Sequence, residues 1–379
     1  MSLDNDSLKI HKKLQGKLET KSKVKISNKK ILSLVYTPGV AAVSKAIAQN
    51  QTLAKKYTIK SNTIAVISDG SAVLGLGNIG PLAALPVMEG KAALFKEFGN
   101  LDAFPICLAT QDTREIITAI KNIAPVFGGI NLEDISAPRC FEIEKILMNE
   151  LDIPVLHDDQ RGTATVVLAA LINALKIKRL SFEKVKIVIN GAGAAGTAIA
   201  KFIHQYGVKN IIVCDSHGVL NHNRNDLNSE KKLLADWLPL EKQNAKTLAD
   251  ALIGTDVFIG VSKGNVLTNE MIKTMNKQPI IFAMANPIPE IMPNLAKKAG
   301  AYIVATGRSD FPNQINNVLA FPGIFRGALD NQIKTITDKM LIKAAENLSA
   351  CIKKPTIEKI LPKPFDKKVV KAVAKSIKN

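Results

Sequence analysis

The stretch from Lys184 to Asp215 limits what the rest of the chain can be. Lys184-Val-Lys-Ile-Val-Ile-Asn190 is a β-branched run, Gly191-Ala192-Gly193-Ala194-Ala195-Gly196 interrupts it, and Thr197 to Tyr206 then sets Ile199, Phe202, Ile203 and Tyr206 on one helical stripe. A second strand, Asn210 to Cys214, leads into Asp215, about 20 residues past the glycines, where a dinucleotide site places the carboxylate that accepts from the adenosine ribose. Each glycine has its own task. Gly191 makes the tight turn, Gly193 lets backbone approach a pyrophosphate, and Gly196 lets helix pack on strand. The helix N-terminus meets the diphosphate with free N–H groups and its positive dipole end. A glycine-rich turn of another α/β protein shares the bare pattern, but the acid closing the second strand favours a Rossmann-type unit.

With 379 residues the chain has room for two domains of about 100–200 residues each, and 46% hydrophobic content with few aromatics fits an α/β enzyme. The longest nearly apolar run, Ala164 to Leu175, contains Thr165 and Asn173 and falls short of the roughly 18 apolar residues of a membrane span. The lysine-rich N-terminus has no apolar core of a secretory leader, and Cys107, Cys140, Cys214 and Cys351 lack metal spacing, so a reducing cytoplasmic setting without disulfide or zinc is expected. The formal charge of +18 comes from lysines crowded into the first sixty residues and from Lys353 to Lys378. Without interleaved aromatics or a DNA-reading helix they read as a solvated surface that concentrates small polyanions, and neither nucleic acid nor membrane is expected as a partner.

Several other segments carry chemistry. Ser7 to Ser33 reads as a charged helical arm, followed by Tyr36-Thr-Pro38-Gly39, where Tyr36 is either a proton donor or a core tyrosine. A second glycine run, Gly75-Leu-Gly77-Asn-Ile-Gly80, follows the strand Thr63 to Ser68 and Asp69-Gly-Ser71, but no ribose-binding acid comes after it at the right distance. It is therefore expected to wall a site or to make a secondary phosphate contact. Lys91 falls on the apolar face of the helix around Val87 to Phe98. Loss of water there would lower its pKa toward that of a base, while a snorkelling lysine would fit the same pattern. Glu133-Asp134 and Asp158-Asp159 both follow strands, at the sheet edge where ligands bind in open α/β folds. Such acids either cap helices or hold a hard cation, and adjacent acids can both ligate only if the chain has left the strand. Asn286 and Asn317 end later segments at the same presumed edge.

Taken together and in order, Tyr36-Thr-Pro-Gly-Val, Asp69-Gly-Ser, Glu89-Gly-Lys91, Glu133-Asp134, His157-Asp158-Asp159-Gln-Arg-Gly-Thr-Ala, the Gly191 to Gly196 turn, Asn286-Pro287 and Asn317 resemble the malic enzyme family, in particular its short bacterial branch. The resemblance implies an α/β chain of two domains. Residues 1–160 would bind malate and metal, and 161–379 would form a C-terminal Rossmann-type NAD-binding domain with a helical tail. It also implies oxidative decarboxylation of L-malate to pyruvate and CO₂ with reduction of NAD, NADP being possible, and a need for Mg²⁺ or Mn²⁺. Lys91 then matches the general base, Asp158 the group that orients it or relays its proton, and Tyr36 the acid that protonates C3. Glu133, Asp134 and Asp159 match the metal ligands, Asn286 and Asn317 the amides on the substrate or nicotinamide side, and a homo-oligomer, a dimer, is implied. Two departures stand out: Ala72 replaces an arginine that larger relatives use on a malate carboxylate, and the lysine-rich tail is not followed by a phosphotransacetylase-like extension, so no acyl transfer is expected. A metal-assisted dehydrogenase for another 2-hydroxy dicarboxylate such as tartrate is the nearest alternative, and a basic nucleic-acid-binding protein a distant one. Asp215 favours NAD, against which His217, His222, Arg224, Lys231 and Lys232 could neutralise a 2′-phosphate.

Overall fold

In the computed structural model, residues 3–378 are described except Leu74 and Gln243. Among the described residues ten strands form two sheets. The first contains β1 (Thr63–Ser68), β2 (Asp102–Cys107), β3 (Gly129–Leu132) and β4 (Val155–His157), in the order β2-β1-β3-β4 and parallel throughout. The second contains β5 (Lys186–Asn190), β6 (Asn210–Asp215), β7 (Gly218–Val219), β8 (Val257–Gly260), β9 (Ile280–Ala283) and β10 (Ile303–Thr306). Its order is β10-β9-β8-β5-β6-β7, parallel except for the short β7 edge. The strand order therefore reverses between β5 and β8, and ligands of doubly wound sheets sit in the crevice beyond the strand ends at such a point.

Ten helices are labelled here in chain order: α1 (Leu3–Leu14), α2 (Lys29–Val35), α3 (Val40–Gln49), α4 (Gly80–Gly99), α5 (Arg139–Glu150), α6 (Thr163–Lys178), α7 (Ala194–Gln205), α8 (Phe321–Asp330), α9 (Asp338–Ala350) and α10 (Lys368–Ala374). Helix α6 is buried from Ala164 to Leu175, which accounts for its nearly apolar sequence: it lies between the elements of both sheets and is apolar on all sides. One apolar cluster runs from Phe95 and Leu101 through α6 to Ile187, Ile259 and Ile303, so the two halves share a core. Helix α7 packs close to the turn that precedes it. A Cβ on Gly196 would stand 1.6 Å from the carbonyl oxygen of Gly191, so only glycine fits.

The C-terminal helices return to the first half of the chain. Phe321 and Phe325 of α8 meet Phe95 of α4 edge-on at 4.6 and 5.4 Å between ring centroids, and Arg326 donates to Asn62 at 2.7 Å. The N-terminal arm is different. None of α1, α2 or α3 contains a buried residue, and Leu3, Leu8, Leu34 and Tyr36 are all more than half exposed. Residues 29–49 are apolar enough in composition to cross a membrane, but they form two helices of 7 and 10 residues separated at Pro38, and neither approaches the roughly 20 residues a span needs.

Candidate active site

The strand ends of the first sheet deliver the acids. After β3 the chain turns at Asp134, which has φ of +54°, and after β4 it enters a π-helical turn, Asp158–Gly162. Both acidic pairs have therefore left their strands, which lets neighbours in sequence face one point. The backbone N–H of Asp134 donates to Asp159 Oδ2 at 2.7 Å, joining the two turns. One carboxylate oxygen from each of Glu133, Asp134 and Asp159 lies within 4.8 Å of the others. An all-oxygen donor set of this kind suits Mg²⁺ or Mn²⁺, with substrate and water completing the shell.

Lys91 enters the cluster from α4. Its Nζ donates to Asp158 Oδ2 at 2.7 Å, pairs with Glu133 Oε1 at 2.8 Å, and lies 4.3 Å from the centroid of the Phe321 ring. The lysine is buried on the apolar face of α4 as expected, but its pKa moves the other way from the expectation. Burial alone pushes it down; the carboxylates of Asp158, Glu133 and Asp159 outweigh burial and push it well above the ordinary lysine range. Sequence alone does not bring these partners beside the lysine. The acids respond to the same burial: Glu133 and Asp158 are pushed up to about 7 and Asp159 to about 6. Asp158 Oδ1 is buried with no hydrogen-bond partner, and a Cβ on Gly162 would come within 1.7 Å of it. The glycine after the acids thus makes room for the second oxygen. His157 is buried, and burial holds its imidazole neutral, with its pKa down at about 4.

These groups open onto a cleft of about 550 Å³. Asp134 and Asp159 line one part of it, Gly193, Ala194 and Ala195 of the glycine turn another, and Asn286, Asn316 and Asn317 close it. Asp159 is the open member of the cluster, its side chain 30% exposed. The second glycine run is a wall as expected: Ala72 and Gly75 line the cleft, and a Cβ on Gly75 would be 2.0 Å from the Asn286 carbonyl oxygen. Leu74 of that run lies outside the described residues. Gly191, Ala192 and Gly193 border a second cavity together with Asp215. Of the residues singled out from sequence, Lys91, Asp158, Glu133, Asp134 and Asp159 meet, and Asn286 and Asn317 share their cleft with the glycine turn. Tyr36 is not on the cleft wall and is 64% exposed. Among the described residues no lysine or arginine lines the cleft.

Sequence reading missed the residues that hold these turns. Asp69, fully buried, accepts from Arg139 Nη2 at 2.6 Å and from the Ser71 hydroxyl at 2.5 Å, and that hydroxyl accepts from Ser136 N at 2.9 Å. The carboxylate of Glu290, also fully buried, accepts from Ser262 N at 3.0 Å and Ala285 N at 2.9 Å, joining the ends of β8 and β9. Asn190 donates to Ser262 Oγ at 2.8 Å, so three adjacent strand ends are held together at the cleft. Asp69-Gly-Ser71 stood out in sequence as a motif but without this role, and the signal for Glu290 was an acid within an otherwise apolar stretch.

Comparison with known proteins agrees with this geometry. Residues 15–148 match the family described as malic enzyme, N-terminal domain, and residues 160–378 match malic enzyme, NAD binding domain. The chain is 53% identical to a bifunctional malic/malolactic enzyme of Bacillus subtilis, covering 100% of this chain and 92% of that protein. It is 54% identical to an NAD-dependent malic enzyme of Geobacillus stearothermophilus, covering 96% of this chain and 76% of the relative. The crystal structure of an NAD-dependent malic enzyme from Thermotoga maritima superposes with a TM-score of 0.95 at 52% identity, covering 99% of both chains. The chain belongs to the malic enzyme family, whose members decarboxylate malate oxidatively while reducing a nicotinamide dinucleotide.

Proposed function

We propose that the chain converts L-malate to pyruvate and CO₂ in this cleft, reducing NAD and also NADP. Residues 1–160 would supply the malate and metal side, and 161–379 the dinucleotide side. The observation that carries the reading is Lys91, a buried ammonium bridging Asp158 and Glu133 beside a three-carboxylate cluster that shares its cleft with the glycine turn. Glu133, Asp134 and Asp159 are the residues to hold Mg²⁺ or Mn²⁺. The bound ion would polarise the C2 oxygen and stabilise the enolate left by CO₂, and the nicotinamide would accept the C2 hydride.

The protein's own groups manage the protons. Lys91 takes the proton of the C2 hydroxyl, and Asp158 fixes the position of Nζ and gives that proton a second station. Lys91 must first lose the proton it carries. The proton would pass to Asp158, which Nζ touches at 2.7 Å, and a dication held by Glu133, Asp134 and Asp159 would favour that transfer, because a nearby positive charge disfavours an ammonium. Asn286 and Asn317 offer amide groups to a substrate carboxylate or the nicotinamide amide. Tyr36 supplies the proton that C3 gains.

That last role needs more than one chain. Tyr36 follows α2, on an arm whose helices contain no buried residue, and among the described residues the cleft wall has neither a phenol nor a cation for the second malate carboxylate. A second copy packed on the exposed apolar helices α2 and α3 would cover them and bring Tyr36 to a site, which supports a homodimer. Malate, Mn²⁺ and NAD or NADP should together give reduced cofactor and CO₂ in equal amounts. Cofactor reduction without CO₂ would overturn the reading in favour of a simple 2-hydroxy dicarboxylate dehydrogenase acting on a substrate such as tartrate.

A further inference from the structure

A third cavity, of about 540 Å³, shares no lining residue with the active cleft or with the cavity beside Asp215. Ile172, Leu175, Leu180, Phe182 and Tyr206 give it an apolar lining, and the Phe182 and Tyr206 rings meet edge-on at 4.7 Å between centroids. Lys176 and Arg179 also line it; both are exposed, and neither forms an ion pair among the described residues. The acid in the wall, Glu346, is already engaged, since Lys343 Nζ donates to Oε2 at 2.7 Å and the Tyr206 hydroxyl to Oε1 at 3.4 Å. The wall also leads back to the active site along three helices. Helix α6 carries Lys176 near its end and begins at Thr163, which lines the active cleft directly after the Asp158–Gly162 turn. Helix α7 starts at Ala194 and Ala195 on the same cleft and is capped by Tyr206. Helix α9 brings Ser349 and Ala350 to the cavity, and at its other end Asp338 accepts from Arg161 Nη2 of the acidic turn at 2.9 Å. Asn173 of α6 donates to the Ser349 carbonyl at 2.9 Å and so ties two of the three together.

We propose that this cavity is a regulatory site for a small aromatic anion, whose rings lie against Phe182 and Tyr206 and whose acid group pairs with Lys176 and Arg179, and that its occupation shifts the Asp158–Gly162 turn through α6 and α9. The volume falls within the range of about 300–1,000 Å³ of small-molecule sites, and an apolar lining with a few polar groups is their usual composition. The lining disfavours a fully hydrated polar ligand, and two unpaired cations beside it favour one negative group on a flat apolar body. Helix α6, about 24 Å long and buried from Ala164 to Leu175, cannot absorb a push at one end by local repacking, because a close-packed interior has no free volume to take it up. The ligand acts by the difference in its affinity for two positions of these helices.

The probe is 8-anilinonaphthalene-1-sulfonate, an aromatic anion that fluoresces when its rings leave water, titrated into the intact protein with the dinucleotide site filled by NAD. A saturable site should remain. Lys176→Gln combined with Arg179→Asn should weaken it about five- to tenfold, asparagine being tolerated at the left-handed φ of +54° that Arg179 adopts. Ala350→Trp, at an exposed helix end, should fill the cavity and remove the site. Hydrogen exchange of residues 158–163 should change about fivefold or more when the probe saturates the wild type, and should not respond to the probe in Ala350→Trp. The absence of a saturable site, or binding unaltered in either variant, would overturn the proposal, and so would probe bound in this cavity with no change in exchange. None of these readouts uses turnover, so such a failure would leave the malate reaction standing.

Discussion

At the scale of single residues, the site is a contest between burial and charge around Lys91. Burial disfavours every ion in the cluster; mutual attraction keeps the ammonium charged while leaving Glu133 and Asp158 near 7 and Asp159 near 6. A hard cation binds only ionised carboxylates, so Mn²⁺ affinity should rise as pH climbs through about 6 to 7 and flatten above, with protons released on binding. Calorimetry in buffers of different ionisation enthalpy counts those protons, and pH-independent affinity would refute the assignment. Lys91→Ala should lower kcat by about 10² to 10⁴ while NADH binding, followed by fluorescence, stays near wild type. Retention of wild-type kcat would remove Lys91 as the base. Asp159→Asn should raise the Mn²⁺ requirement more than Asp158→Asn, whose expected loss falls mainly in kcat, since Asp159 opens to the cleft while Asp158 faces Lys91. A metal titration giving the opposite order would exchange their roles. The acids were legible in sequence because their side chains are their chemistry. The direction of the Lys91 shift was not, because it depends on partners 42 and more positions away that only the folded chain brings together.

At the scale of elements, the strand-turn-helix unit was readable almost to the residue: the run expected over Lys184 to Asn190 forms β5 from Lys186, and the one ending at Asp215 forms β6. Periodicity and glycine spacing are local signals, and this unit is built from local geometry. The tolerance at its centre is small. Gly196→Ala should destabilise the protein by about 1–3 kcal/mol through overpacking against the Gly191 carbonyl, and should weaken binding of either dinucleotide because the glycine turn must shift. Thermal unfolding and NADH titration would check both effects; unchanged affinity would mean that the turn does not hold the pyrophosphate. The strand-end clamps were invisible for the opposite reason. Glu290 and Asn190 both bond Ser262, just past the end of β8, and apart from the lone acid at 290 nothing in their own neighbourhoods announces it.

At the scale of the whole molecule, chain order and spatial order diverge at both ends. Helix α8 closes on α4 through Phe321, Phe325 and Phe95, so a residue from the last sixty positions lies against the Lys91 ammonium. No periodicity within one helix could reveal a contact of that range. The N-terminal arm was legible as charged, but the helix expected over Ser7 to Ser33 is broken from residue 15 to 28, between α1 and α2, and its exposure was not legible, since that depends on what else packs there. If a second copy covers the arm and Tyr36 serves that copy's site, each site takes Lys91 from one chain and Tyr36 from the other. In a heterodimer of Tyr36→Phe with Lys91→Ala, one site then combines two defects, and the other combines the Lys91 of the first chain with the Tyr36 of the second and is intact. Subunits mixed at equal concentration and allowed to exchange should pair at random, so half the dimers are mixed and about a quarter of wild-type turnover should return from two inactive variants. If Tyr36 instead serves its own chain, every site in the mixed dimer keeps one defect, and the mixture should remain as inactive as its parents.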